Sequence, residues 1–279
     1  IPPPKGKQHL HPGSSSKKSW CKRSESTVIW YWAIQIPPLR ILVCPTTILT
    51  EEFVNGPLFF QETNFTPLYG LNSYSLNGPT DDHGNYPVIK MVVKDGKIAS
   101  VEYDEIIAAQ GVPKSKDNYN WEPYFSAVEY LEKRAVEVNG DVSKIDAIAQ
   151  ATGSSVKFKD MLLAVQLQAV QLKDAIYPPV ELEPDNRGYA PKLQITVSGG
   201  KISKVEYYEY NTQNGTPKEE GVYNWPAYFE AIKYFGETAV KENGNIMNID
   251  AFAGATSTSD KFFALYRTLV NMILLVAKQ

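Results

Sequence analysis

The chain has 279 residues and only two cysteines, Cys21 and Cys44, both within its first 50 positions. Residues 51–279 therefore have no disulfide, thiolate zinc site or cysteine-held iron–sulfur cluster available to them. Histidine is nearly as scarce: His9, His11 and His83 stand in unrelated contexts, which reads as surface residues rather than a ligand set. Long apolar runs are missing too. The stretch from Val28 to Leu49 is broken by Pro37, Pro38 and Arg40, and Leu269 to Ala277 is short. Neither supplies the about 20 uninterrupted apolar residues of a membrane-spanning helix. Positive charge is confined to one end: the first 50 positions hold seven Lys or Arg against one Glu, so with a total of −3 the remainder stands at −9. An acidic body with no basic, aromatic stripe argues against nucleic acid as a partner.

What the chain does have is a duplication. At a constant offset of 104 and without gaps, Gly96-Lys-Ile matches Gly200-Lys-Ile, Val101-Glu-Tyr matches Val205-Glu-Tyr, and Tyr119-Asn-Trp matches Tyr223-Asn-Trp. The register continues through Asn139-Gly and Asn243-Gly to Lys157-Phe and Lys261-Phe, and roughly half the positions from Gly96 to Phe158 recur identically. A period this long exceeds that of solenoid repeats and suits an independently folding domain. The organisation expected is an atypical N-terminal segment over 1–52, a first domain over 53–174 and a second over 175–279. In the first segment, Lys17-Lys18 and Lys22-Arg23 precede the apolar run in the order of an export signal, and Ile41-Leu-Val-Cys44 is similar to a lipoprotein box apart from Val43. Disordered sequence is the competing reading of 1–52.

Each repeat shows the same local signals. Pro87 to Val93 and the run after Gly96 are rich in β-formers and flank Asp95-Gly96, a hairpin signal; Leu193 to Val197 and Ile202 to Tyr210 flank Gly199-Gly200. Alternation puts Val205, Tyr207 and Glu209 on one strand face. Apolar residues at helical spacing follow from Trp121 and Trp225 and stop at Asn139-Gly140 and Asn243-Gly244, which predicts helices with Asn-Gly C-caps. A second amphipathic helix follows in each copy. The fold class expected is α+β: two tandem copies of a small domain whose antiparallel sheet packs against helices.

Between the two helices lies Asp250-Ala-Phe-Ala-Gly-Ala-Thr256-Ser-Thr258-Ser, with Asp146-Ala-Ile-Ala-Gln-Ala-Thr152-Gly-Ser154-Ser as its earlier copy. Ser154 and Thr258 sit where N-caps are expected, which places Thr152 and Thr256 at a helix mouth. A helix start offers unpaired N–H groups and a partial positive charge, so it can hold a phosphate without Lys or Arg. Small residues such as Ala151, Gly254 and Ala255 let the backbone approach a ligand, and Gly254 can take a positive φ. Asp250, with Asp146 as its counterpart, is expected to accept hydrogen bonds from the loop's N–H groups. A capped structural turn accounts for one such loop equally well. Trp121, Trp225 and the strand residues Tyr103 and Tyr207 read as core, and Glu102 and Glu206 as a solvated strand face.

The pattern Asp-x-x-x-Gly-Ala-Thr-x-Thr-Ser resembles the signature of the FMN-binding domain family. That family includes the C subunit of the sodium-translocating NADH:quinone reductase, the G subunit of the Rnf electron-transport complex, and flavinylated surface lipoproteins of Gram-positive extracellular electron transfer. The resemblance implies FMN joined through a phosphoester to Thr256, with a second at Thr152, by a flavin transferase that uses FAD and magnesium. It also implies transfer of electrons from a membrane reductase or quinol-linked donor to an external acceptor. Tandem copies are most similar to the lipoproteins, which implies the extracellular face of a bacterial membrane and a lipid anchor. The chain departs from the family pattern in having Ala253 and Ala149 where Ser or Thr is usual, and Gln150 where glycine is expected. If that glycine needs positive φ, Gln150 is strained by about 1 kcal/mol. Two other readings stay open: a flavin-free surface binding module whose attachment sites have decayed, and a reversible FMN binder.

Overall fold

A computed structural model describes the strand residues 33–36, 39–44 and 47–51 and all of residues 71–279. The chain divides into two compact units, residues 1–69 and 70–279. In the first, β1 (Ala33–Ile36), β2 (Leu39–Cys44) and β3 (Thr47–Glu51) pair antiparallel in that order. The basic stretch from Lys17 to Arg23, with His9 and His11, lies outside the described residues.

In the second unit the succession of a long hairpin, a helix, a 3-10 turn and a helix occurs twice, with different short strands beside each hairpin. First come β4 (Leu71–Asn77), β5 (Asn85–Lys94), β6 (Lys97–Ile107), β7 (Val112–Pro113), α1 (Glu122–Glu137), a 3-10 turn at Val142–Lys144, and α2 (Thr152–Ala169). Then follow β8 (Ala175–Ile176), β9 (Val180–Glu181), β10 (Tyr189–Ser198), β11 (Lys201–Asn211), α3 (Pro226–Lys241), a 3-10 turn at Ile246–Asn248, and α4 (Thr256–Ala277). The long hairpins and the first helix of each set start at Asn85, Lys97 and Glu122 and again at Tyr189, Lys201 and Pro226, the offset read from the sequence. Sheet order is β4-β5-β6-β7 in the first set; in the second β10 lies between β11 and the short strands β8 and β9, with all pairs antiparallel. The α+β class follows, with α1 and α2 on one sheet and α3 and α4 on the other. Among the described residues no helix is long and apolar enough to cross a membrane.

Local chemistry explains these elements. Asp95 and Gly96 have φ of 51° and 75°, and Gly199 and Gly200 have 62° and 73°. Two successive positive φ values make the two-residue turn whose twist matches a hairpin. Each hairpin then slips register once, between Val92 and Val93 and between Thr196 and Val197, so Ala99 and Ser203 are left without partners. That bulge turns both Ile98 and Val101 inward, although they are three positions apart, and does the same for Ile202 and Val205. The helices end as expected. Gly140 N–H donates to Ala135 O at 2.8 Å and Asn139 N–H to Val136 O at 3.1 Å, with Asn139 at φ 50°, the bond pair of a Schellman C-cap. Asn139 Oδ1 also accepts from Ile98 N–H at 2.9 Å, and Asn243 Oδ1 from Ile202 N–H at 3.0 Å, tying each cap to the bulged strand.

The inner sheet faces meet the helices through Ile89, Met91, Tyr103, Leu131, Phe158 and Met161 in the first set, and Leu193, Ile195, Tyr207, Phe235, Phe262 and Leu269 in the second. Burying each large side chain contributes roughly 1.5–3 kcal/mol. In the second core Phe262 stacks on Phe235 at 4.4 Å between ring centroids and on Tyr266 at 5.1 Å. The two halves of residues 70–279 are also joined to each other. α2 touches α4 and the 3-10 turn at Ile246–Asn248, and α4 reciprocally touches the 3-10 turn at Val142–Lys144.

Candidate functional site

The recurring signature forms a tight turn followed at once by a helix. Ala151 N–H donates to Ile148 O, and Ala255 N–H to Phe252 O, each at 3.0 Å. The third residue of each turn has positive φ: 67° for Gln150 and 79° for Gly254. A bonded turn with positive φ at that position is the kind glycine serves and glutamine does not. Gln150 thus occupies the strained conformation the sequence comparison anticipated. Gln150→Gly is expected to raise stability by about 1 kcal/mol, read as a higher urea midpoint at unchanged slope. Gly254→Gln is expected to lower it by a similar amount.

Neither helix takes the N-cap expected from sequence. Ala151 and Ala255 are the caps, and among the described residues no side chain caps either helix, because both begin at the threonine itself. Ser154 is therefore the third helical residue, and its hydroxyl donates inward to Glu105 Oε1 at 3.1 Å; Thr258 is buried. The aspartates do not hold the loop either. Asp146 and Asp250 are exposed, and among the described residues neither carboxylate accepts a loop N–H; the Asp250 N–H donates to Tyr234 Oη at 3.2 Å. The serine ending each motif has that task instead. Ser259 Oγ accepts from Phe252 N–H and donates to Ala255 O, both at 3.0 Å, and Ser155 Oγ bonds Ile148 N–H and Ala151 O at 3.0 and 2.9 Å. This serine is completely buried and staples the turn to the first helical turn in both copies.

The helix mouths are consequently open. The first intrahelical bonds start at Ser155 N–H and Ser259 N–H, each 2.9 Å from the cap carbonyl. Among the described residues the N–H groups of Thr256, Ser257 and Thr258, and of Thr152, Gly153 and Ser154, have no side-chain acceptor, and both threonines are exposed. Free N–H groups at a helix start favour an anion, and the exposed threonine hydroxyl stands beside them. Ala151 and Ala255 are buried beneath.

In the first repeat a cleft of ≈ 580 Å³ opens in front of this turn, lined by Tyr119, Trp121, Gln150, Gly153, Ser154 and Lys157 among others. That volume is in the range of small-molecule sites. Trp121 is 48% exposed and its Nε1–H donates to Gln150 O at 3.2 Å, so it flanks the cleft rather than the core as read from sequence. Trp225 is half-buried and packs against the core.

The floor of the cleft is ionic. Glu105 is 1% exposed; its Oε2 meets Lys114 Nζ at 2.6 Å and Lys157 Nζ at 3.7 Å, and its Oε1 accepts from Tyr103 Oη at 3.1 Å. Lys157 also bonds Asp81, which is fixed in turn by the N–H groups of His83 and Asn85. The second repeat reproduces this set: Glu209 meets Lys218 at 2.7 Å, Lys261 at 3.1 Å and Tyr207 Oη at 2.7 Å, and Lys261 meets Asp185 at 2.8 Å. Burial alone pushes Asp81 and Asp185 up, but the adjacent lysine and two backbone N–H groups outweigh it and hold both carboxyls below the ordinary range. Burial and the neighbouring glutamate push the Tyr103 and Tyr207 phenols far up, so both remain donors. Sequence reasoning passed over these groups. Two signals pointed to them: an acid, Glu209, on the strand face of Val205 and Tyr207, and the recurrence of Lys157 and Lys261.

The second half of residues 70–279 is thus an α+β unit in which a serine-held turn leads into an uncapped helix that begins at an exposed threonine. Residues 188–271 match the family model of the FMN-binding domain, and the match supports FMN as the cofactor. The matched region runs from the start of β10 through most of α4 and contains Asp250, Gly254, Ala255, Thr256 and Thr258. No curated protein matches the chain. Among solved structures, the CPE2226 protein from Clostridium perfringens is 30% identical over 38% of this chain and 89% of that one, with a TM-score of 0.28.

Proposed function

We propose that the chain is an electron-transfer flavoprotein that carries FMN on Thr256 through a phosphoester. One observation carries this reading: an exposed threonine opens an uncapped helix inside the segment that matches the FMN-binding domain. The residues fit the group. N–H groups of the first turn of α4 receive the phosphate, Gly254 at positive φ keeps side-chain bulk off the approach, and Ser259 keeps the turn in shape. The redox chemistry is the flavin's own; the protein attaches, orients and shields it. Attachment requires a flavin transferase as a maturation partner. The resemblance to tandem surface lipoproteins supports a place at the extracellular face of a bacterial membrane with a lipid anchor, a membrane reductase or quinol-linked donor and an external acceptor.

The first repeat has the same open helix mouth at Thr152, but Gln150 places a long side chain at the glycine position and Trp121 is bonded to its carbonyl. These observations favour a first site that binds FMN reversibly or has lost attachment. Intact mass after coexpression with a flavin transferase tests both sites. One FMN-minus-water addition, lost in Thr256→Val and kept in Thr152→Val, is expected. No addition in the parent chain would refute covalent carriage, and an addition that survives Thr256→Val would move it to another residue.

A further inference from the structure

The ionic set beneath each helix mouth costs more than the fold asks of it. Buried ion pairs give up hydration that their attraction barely returns, and apolar side chains of similar volume often stabilise as well. Yet each repeat buries a glutamate beside two lysines, and one lysine is left partly open. Lys261 Nζ has three N–H donors, of which two reach Asp185 Oδ2 at 2.8 Å and Glu209 Oε2 at 3.1 Å. Its side chain is 18% exposed, against 4% for Lys218, and its counterpart Lys157 lines the cleft beside Gly153 and Ser154. Burial lowers the Lys261 pKa, but Asp185 and Glu209 outweigh it and raise the value above that of an ordinary lysine, so the ammonium keeps its charge at neutral pH. Asp185 is itself fixed by the N–H groups of Arg187 and Tyr189, at 2.9 and 3.1 Å, so the cation is oriented and not merely nearby.

We propose that Lys261, with Lys157 as its counterpart, is a positioning cation that stabilises negative charge on the reduced flavin ring and thereby raises its reduction potential. The inference rests on the flavin reading above. Two electrons from the donor and one proton from water convert the neutral oxidised ring into a reduced ring with one net negative charge, and a fixed, partly buried ammonium favours that product.

Dithionite titration of the flavinylated protein against a reference dye tests it, with intact mass confirming FMN in every sample. In Lys261→Gln the reduced-to-oxidised ratio at a given potential is expected to fall about tenfold, which is about 30 mV for a two-electron couple. Lys261→Arg is expected to hold the parent value, and Asp185→Asn, which removes the opposing charge, to shift the ratio the other way. A merely structural lysine would alter the unfolding midpoint and leave the potential in place. Unchanged potentials in the Gln and Asn variants, with FMN mass intact, overturn the proposal; if Lys261→Gln does not fold, Asp185→Asn decides alone by the sign of its shift. Absence of FMN from the parent chain refutes the functional reading itself and takes this inference with it.

Discussion

Replacing Glu209 by alanine is expected to destabilise the protein by about 3–5 kcal/mol, a large part of the stability of a domain this size. Glu209 is 1% exposed and receives Lys218, Lys261 and the Tyr207 hydroxyl, while its own N–H donates to Tyr228 Oη at 2.9 Å. Its removal strands Lys218, whose side chain is only 4% exposed and which lies over the rings of Tyr189, Tyr223 and Tyr228 at 4.3 to 4.9 Å. Those rings stabilise a cation but cannot replace an anion. Lys261 keeps Asp185 and loses less. The cost is therefore mainly that of one uncompensated buried charge. The double variant Glu209→Leu with Lys218→Met removes both members and is expected to recover most of the loss. Urea unfolding of the three proteins checks this; a single variant within 1 kcal/mol of the parent would show that water reaches Lys218 and the pair is not buried. Glu105→Ala should behave alike in the first repeat, since Lys114 is equally enclosed.

Much of this architecture was legible because it depends on local chemistry. Asp95-Gly96 and Gly199-Gly200 fix the hairpins, Asn139-Gly140 and Asn243-Gly244 end the helices, and the ungapped repeat carries one reading onto the other. The positive φ at Gln150 was legible for the same reason, since its counterpart is glycine. What escaped was set by partners that local pattern does not single out, most of them distant in sequence. Ser154 looks like a cap until Glu105, 49 positions away, claims its hydroxyl. Asp250 looks like the loop's anchor until the buried Ser259 occupies the N–H it would have taken. Lys157 pairs with Asp81 across 76 positions and Lys261 with Asp185 across 76 more, so periodicity along one strand or helix never brings them together. The junction between repeats is the extreme case. Symmetric sequence suggests two equivalent modules, but the bonds joining them come from positions where the copies differ: Asn271 corresponds to Leu167, and Asp160 to Ala264.

That junction carries the second large effect. Asn271→Ala is expected to cost about 2–3 kcal/mol, because Asn271 is a buried link between α4 and the first repeat with both ends of its amide in use. Its Oδ1 accepts from Val142 N–H at 3.1 Å and its Nδ2 donates to Asp141 Oδ1 at 2.9 Å. Truncation leaves the Val142 N–H without that acceptor and takes a donor from Asp141. Arg267, gripping Asp160 with two bonds of 2.6 and 2.8 Å, and Lys278, donating to Asn139 O at 2.7 Å, keep the helix close enough that water does not freely repair the loss. The same site predicts an acid limb. Burial raises the Asp141 carboxyl, but Ser143, Asn271 and Lys144 together hold it down to about 2 from an ordinary 3.8. A carboxyl depressed by folding stabilises fully above its unfolded value, and that contribution fades as pH falls from about 4 toward 2. It amounts to about 2 kcal/mol when complete. In Asn271→Ala the carboxyl has one donor fewer, its pKa rises toward the unfolded value, and this part of the acid loss shrinks. Urea midpoints of both proteins at pH 7 and pH 3 measure it: the gap between them should be narrower at pH 3. A gap of equal size at the two pH values would mean that Asn271 acts through Val142 alone, with no hold on the Asp141 proton.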